Sequence, residues 1–152
     1  MAVDVLTQID IAQPRLAVAS FASDPSNATR WYRNIRSVIW ETSPPLAVGS
    51  RVLFRARFLG RTLEYTYEIR VFQPTERLVM SMSDGPFPME TTYTWSDVDI
   101  GTRMTLRNRG EPEGYFRMLG SVIEAGMRRN NRQDLERLKA VIETGSSSDT
   151  LS

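Results

Sequence analysis

Residues 51–72, RVLFRARFLGRTLEYTYEIRVF, decide the fold. Two runs of strict alternation lie either side of Gly60-Arg61, a dipeptide that suits a two-residue hairpin turn with glycine at its first central position. Strands over 51–59 and 62–72 follow. With that turn, Phe58 is expected opposite Leu63, Ala56 opposite Tyr65, Phe54 opposite Tyr67 and Val52 opposite Ile69. One face is then apolar or aromatic throughout. The other is polar, and places Arg57 across from Glu64 as a favourable charge pair. A slip of one residue would send every side chain to the wrong face, so the two-face pattern argues strongly for a hairpin.

The same period runs outward in both directions. Val3–Ile11 alternates, with Val3, Val5, Thr7, Ile9 and Ile11 on one side, and is read as a strand. Ile35–Glu41 is a second, closed by Ser43-Pro44-Pro45; either Val38 and Trp40 or Ile39 and Glu41 could face inward. Beyond the hairpin, Arg77–Ser83 leads to a turn at Asp84-Gly85-Pro86. Met89–Trp95 then sets Thr91, Tyr93 and Trp95 on one side, and Asp97–Gly101 turns the chain. Thr102–Arg109 puts Thr102, Met104, Leu106 and Asn108 inward and its arginines outward. That makes seven strands.

Helices fill the rest. Pro14 permits a short helix to about Phe21, and Asp24-Pro25 is a second helix start, with aspartate as N-cap and proline in the first turn. After Gly110-Glu111-Pro112-Glu113-Gly114 breaks the sheet, no proline occurs from Tyr115 to Glu143, a rod of about 40 Å at 1.5 Å per residue. Its apolar row is Phe116, Leu119, Ile123, Met127, Leu135, Leu138 and Ile142, interrupted at Asn131. The expected organisation is one domain over 1–144 and a disordered, Ser-rich tail over 145–152.

Composition removes much chemistry. The chain has Cys 0 and His 0, so disulfides, thiolate nucleophiles and His-based triads are absent, and the usual zinc and iron ligands are missing. No metal or cofactor is expected. The charges, Lys+Arg 19 against Asp+Glu 18, nearly cancel. Arg51, Arg55, Arg57, Arg103, Arg107 and Arg109 share the outward sheet face with Glu64, Glu68 and Glu90. The aromatic side chains that could stack on bases point the other way, so a solvated face is expected rather than a nucleic-acid surface. No apolar stretch approaches a membrane span and no leader pattern opens the chain; a cytoplasmic location, without stable membrane insertion, is the expectation.

An antiparallel sheet with one apolar face must be covered, and only the long C-terminal rod is large enough to cover it. One rod is narrower than seven strands. A curved sheet gripping it should therefore leave a hollow, lined by Phe54, Phe58, Tyr65, Tyr67 and Met80 from the sheet's first half. Tyr93, Met104 and Asn108 complete the sheet wall, and Phe116 and Met127 come from the rod. These are the candidate ligand-binding residues. A hollow above roughly 300 Å³ would support ligand binding, and a much smaller one would support a protein-interaction role instead. Trp95, at a strand end, is expected to be plain core. Asn108 and Asn131 interrupt apolar rows and need hydrogen-bond partners, from a neighbour, water or a ligand oxygen. Lys139 is expected to be exposed. Glu41 would carry protons only if it faced inward.

In this order the motifs resemble the START-like (SRPBCC) superfamily. The resemblance lies in Asp24-Pro25 with Trp31 a turn or two later, Val48-Gly49-Ser50-Arg51, Ile100-Gly101-Thr102-Arg103-Met104-Thr105-Leu106, and Asp134-Leu135-Glu136-Arg137-Leu138-Lys139. The last resembles the closing helix of its polyketide cyclase/dehydrase branch. The resemblance spans about residues 3–143. It implies an α+β helix-grip fold: a seven-stranded curved antiparallel sheet, two short helices and one long C-terminal helix enclosing a cavity.

The function expected first is binding of a small hydrophobic ligand, such as a lipid, sterol or polyketide-like aromatic, by a monomer or weak homodimer. A second reading is an enzyme of the aromatase/cyclase type, in which tyrosines, asparagine or a carboxylate move protons with water, and Tyr65, Tyr93 and Asn108 are the residues whose replacement should lower turnover. A third is a protein-interaction module working through the outer sheet or the helix.

Overall fold

The computed structural model describes residues 3–58, 60–82 and 88–149, and the side chains of Phe58, Tyr115, Phe116 and 146–149 lie outside that description. Strand β1 (Val3–Ile11) is followed by helix α1 (Arg15–Ser23), a 3-10 turn (Pro25–Asn27) and helix α2 (Ala28–Trp31). Six strands come next: β2 (Ile35–Trp40), β3 (Arg51–Phe58), β4 (Arg61–Gln73), β5 (Arg77–Met82), β6 (Met89–Val98) and β7 (Gly101–Gly110). A 3-10 turn (Gly114–Leu119) then leads into α3 (Gly120–Asp149).

The seven strands form one antiparallel sheet in the order β1-β7-β6-β5-β4-β3-β2. This is the helix-grip architecture read from the sequence. The described backbone carries α3 to Asp149, past the end expected near Glu143, so the onset of the tail at 145 is not where the helix stops. The turn expected at Asp84-Gly85-Pro86 and the end of its strand at Ser83 lie outside the described residues.

The central hairpin differs from expectation in register. Phe58 pairs with Arg61, Ala56 with Leu63, Phe54 with Tyr65 and Val52 with Tyr67, so Arg61 already belongs to the strand and the turn is not Gly60-Arg61. Gly60 has φ +76°, a conformation costly for other residues, and it occupies the second central position. Every partner has moved by two residues. A shift of two keeps each side chain on its own face, so the two-face pattern survives a change it cannot detect. The charge pair moves accordingly: Glu64 faces Arg55, at 3.3 Å, and not Arg57.

The β6–β7 turn is tighter than expected, with Val98 paired to Gly101. Gly101 has φ +148°, and a Cβ there would come within 2.5 Å of the Ile11 carbonyl oxygen and 2.7 Å of the Gln13 backbone. Only glycine lets this turn close against the end of β1. The Thr102 hydroxyl next to it donates to the Gln13 carbonyl at 2.7 Å.

The strand β2 resolves to one orientation. Val38 pairs with Phe54 and Trp40 with Val52, so these two face inward, while Glu41 is exposed and 4.0 Å from Arg51. On the outer face Arg107 grips Asp4 through two bonds of 2.9 and 2.7 Å, and Arg103 grips Asp10 at 2.8 and 3.1 Å. The outer arginines are therefore largely paired to carboxylates, at a solvated surface where such pairs add little to stability.

The helix α3 packs differently at its two ends. Leu135, Leu138 and Ile142 enter a closed core with Ile11, Val18, Trp95, Met104 and Leu106. Lys139, expected on the surface, is half-buried instead. Its ammonium donates to the Asp10 carbonyl at 2.9 Å and to Glu143 at 2.7 Å, while Glu143 accepts the Ala12 N–H at 2.8 Å. These bonds strap α3 along β1, an edge strand whose free backbone groups would otherwise invite pairing with another chain. Nearer its start, α3 carries Met127, Asn130, Asn131 and Asp134 on the sheet-facing side, and here the core opens.

Candidate functional site

The opening is a cavity of about 200 Å³ between the first half of α3 and the concave sheet face. It is smaller than the roughly 300 Å³ set above for a ligand site, so its lining and not its size carries any binding argument. Alternation brings Phe54 and Ala56 of β3 and Tyr65 and Tyr67 of β4 to its floor. Met80 of β5 and Tyr93 of β6 continue that floor, and the Phe54 and Tyr67 rings meet edge to face at 5.6 Å. Ile35 closes the β2 side.

The far wall is polar. Asn131 donates its amide to the Asn108 side-chain oxygen at 2.6 Å, and Asn108 donates in turn to the Thr91 hydroxyl at 2.9 Å. Asn108 and Asn131 are each 8% exposed, so the two interruptions of the apolar rows meet each other across the sheet–helix gap. A buried amide left alone would cost about 1–3 kcal/mol; the chain Asn131–Asn108–Thr91 removes that cost and fixes which amide edges face the cavity.

A second polar group stands at the inner end. The Tyr32 and Tyr93 hydroxyls are hydrogen-bonded to each other. Burial, reinforced by the neighbouring Tyr93, holds the Tyr32 phenol well above its ordinary value; burial likewise raises Tyr93, opposed by the bond from Tyr32. Tyr67 and Asp134 are close enough for their charges to raise both phenols further. Tyr32 and Tyr93 are therefore protonated across the neutral range, and since one hydroxyl donates to the other, the pair keeps one O–H for a ligand.

Among the described residues Asp134 is the one carboxyl on the cavity wall. Burial pushes it up to about 6, against the lowering effect of the Arg33 backbone N–H, which it accepts at 3.2 Å, and of the Arg33 and Arg137 charges. It thus has two roles: it ties the end of α2 to α3, and it places a carboxyl that titrates near neutrality beside the hydrogen-bonded tyrosine pair.

Of the residues expected to line a hollow, Phe54, Tyr65, Tyr67, Met80, Tyr93, Asn108 and Met127 come together on this one cavity. Met104 does not. It is 0% exposed in the closed core, because its position on β7 lies under Leu135 and Leu138, where α3 touches the sheet. The side chains of Phe58 and Phe116 lie outside the described residues. Trp95 is core, as expected.

Tyr32 and Asp134 are the functional candidates that the sequence pattern did not single out. Asp134 did leave a signal, since it stands seven residues after Met127 on the same helical face, in a row that should be apolar. Tyr32 left none: its place follows from the turn that ends α2.

Among the described residues no helix is long and apolar enough to cross a membrane, and no three acidic side chains stand together as metal ligands would.

Comparison with known proteins places this geometry in context. The pattern of the family described as polyketide cyclase / dehydrase and lipid transport matches residues 2–143. No curated protein matches the chain. Among solved structures, TTHA0849 from Thermus thermophilus superposes with a TM-score of 0.80 at 18% identity, covering 94% of this chain and 99% of that one. The Zhui aromatase/cyclase from Streptomyces sp. R1128 gives 0.77 at 14% identity, covering 94% of each chain. Ara h 8.0201 gives 0.74 at 9% identity, covering 95% and 99%. At such identities the likeness is one of fold.

Proposed function

The chain belongs to the polyketide cyclase/dehydrase and lipid-transport family, and on that footing we propose that it binds one small, largely apolar ring compound in the cavity beneath α3. The observation that carries this reading is the division of the cavity into an aromatic floor and a polar wall. Phe54, Tyr65, Tyr67 and Met80 offer ring faces and a thioether, while Asn131, Asn108 and Asp134 sit opposite. Such a site favours a flat apolar body carrying one or two oxygen atoms: burial supplies the affinity and the amides fix the orientation. At about 200 Å³ the space suits two fused rings rather than a sterol, which narrows the ligands expected from the sequence. A panel of naphthols, quinones, fluorescent fatty acids and sterols, followed by native mass spectrometry, tests the proposal. One-to-one complexes with the bicyclic compounds are expected, and a protein that retains none of the panel would end it.

Asp134 favours a second reading, a cyclase-type enzyme in the same cavity. A carboxyl titrating near 6 is largely ionised at pH 7 and can accept a proton from carbon next to a carbonyl. The tyrosine pair would donate a hydrogen bond to the oxygen on which charge develops. This reading moves the proton-carrying role from Tyr65 to Asp134 with Tyr32 and Tyr93. It predicts turnover of a flexible poly-carbonyl substrate that rises with pH through about 6. Asp134→Asn should lower that turnover by roughly 10²-fold or more, with probe binding intact. Equal turnover in the variant would remove Asp134 from the reaction, and no turnover by either protein would leave ligand binding as the function.

A further inference from the structure

The cavity does not end at the tyrosine pair. On its inner side lies a separate hollow of about 20 Å³, bounded by Ala22, Ala28, Trp31, Val52, Ile69 and Leu78. The two spaces share a partition made of Phe54, Tyr67, Met80 and the hydrogen-bonded Tyr32 and Tyr93. The amides of the main cavity have no counterpart here: Asn108 and Asn131 lie on the far side of the partition, and of the two polar residues on this wall, Ser23 and Asp24, Asp24 already accepts the Ser26 N–H at 2.9 Å.

A space this small holds one water, but water needs two to four polar partners and is poorly held where the wall is mainly apolar. An empty one costs packing energy, since its walls lose contacts on one side. Ala22 and Ala28, the smallest side chains of the lining, come from α1 and α2, where a larger apolar residue would have filled the gap. Met80 is flexible enough to let a slender group pass.

Resting on the ligand-binding reading, we infer that the inner hollow is a subsite for a short unbranched alkyl substituent, methyl or ethyl, on the ring compound held in the main cavity. The ring lies on Phe54 and Tyr67, its oxygen turns to the Asn131–Asn108 wall, and the alkyl group passes the tyrosine pair to reach Val52 and Leu78. The narrow hollow selects for chain length and against branching.

The test is a binding titration of 2-naphthol and its 6-methyl, 6-ethyl, 6-propyl and 6-isopropyl derivatives against wild type and Ala28→Leu, whose longer side chain fills the hollow without touching the main cavity. Wild type should gain roughly fourfold in affinity per added carbon up to ethyl, then gain nothing with propyl and lose with isopropyl. Ala28→Leu should bind 2-naphthol as wild type does and show no gain with methyl or ethyl. Ala22→Val, a smaller filling change on α1, should halve the gain, and it serves if Ala28→Leu does not fold. If 2-naphthol binds but the alkyl gain is absent in wild type, or persists undiminished in the filled variants, the inner subsite is wrong while the ligand-binding reading stands. If 2-naphthol itself does not bind wild type, both fall together.

Discussion

Asp134 illustrates how one residue can serve both structure and site. Its carboxyl is raised by burial, so the folded protein holds that proton more tightly than the unfolded chain does. Between about pH 4 and 6 the folded state binds more protons than the unfolded one, so this group's contribution to stability is full below that window and lost as pH rises through it. Asp134→Asn keeps an oxygen for the Arg33 N–H and removes the charge. It should therefore be more stable than wild type at pH 7.5, by about 1–2 kcal/mol, the full linkage value being reduced because the carboxylate faces a cavity and not solid protein. At pH 4 the difference should vanish. Urea unfolding of both proteins at the two pH values measures this. Taking the difference at each pH cancels the opposite contributions of Asp4, Asp10 and Glu143, whose carboxyls are held low by Arg107, by Arg103, and by the Ala12 N–H with Lys139. A variant no more stable at pH 7.5 than at pH 4, relative to wild type, would show that Asp134 ionises without cost. The pairing of Asn108 with Asn131 belongs to this scale too. Each was visible as an interruption of a row, but a sequence does not say that two interruptions 23 residues apart meet.

Among elements, the β3–β4 hairpin shows where pattern reading stops. Side-chain alternation fixes which face each residue occupies, and it is blind to a shift of two. What sets the register is the backbone at Gly60, whose left-handed conformation belongs to the second turn position. A double-mutant cycle decides the matter energetically: Arg55→Ala with Glu64→Ala should show a coupling of about 0.2–1 kcal/mol, and Arg57→Ala with Glu64→Ala about zero. The reverse order would restore the Gly60-Arg61 turn. Gly101 makes a stronger prediction. Both its φ and its contact with the Ile11 and Gln13 backbone oppose a side chain, and backbone cannot rotate away as a side-chain tip can. Gly101→Ala should cost about 3 kcal/mol or more, read as a fall in the denaturation midpoint. A change below about 1 kcal/mol would mean that the turn is free to move off β1. Most of the secondary structure was legible because these strands largely alternate, with irregularities between Ile35 and Ser37 and between Ile69 and Val71. The overrun of α3 was not, because weak helix formers such as Ser146–Ser148 carry no stop signal of the kind proline gives.

For the molecule as a whole, the long helix closes one half of the sheet and stands off the other. Where α3 presents Leu135, Leu138 and Ile142 the interior is solid; where it presents Met127, Asn131 and Asp134 the interior is hollow. That contrast explains why Met104 and Asn108, four residues apart on the same face of β7, have different surroundings. It could be foreseen that one rod cannot cover seven strands, but not at which end the gap would open, since that depends on the docking of α3 through Lys139 and Glu143 onto β1. The central claim is that the gap is a binding site, and blocking it is the direct test. Ala56→Trp, on the cavity floor and outside the closed core cluster, should abolish binding of 2-naphthol in a calorimetric titration in which wild type binds one equivalent, while circular dichroism and the unfolding midpoint remain close to wild type. Undiminished binding by the folded, plugged variant would place the ligand elsewhere and contradict the account.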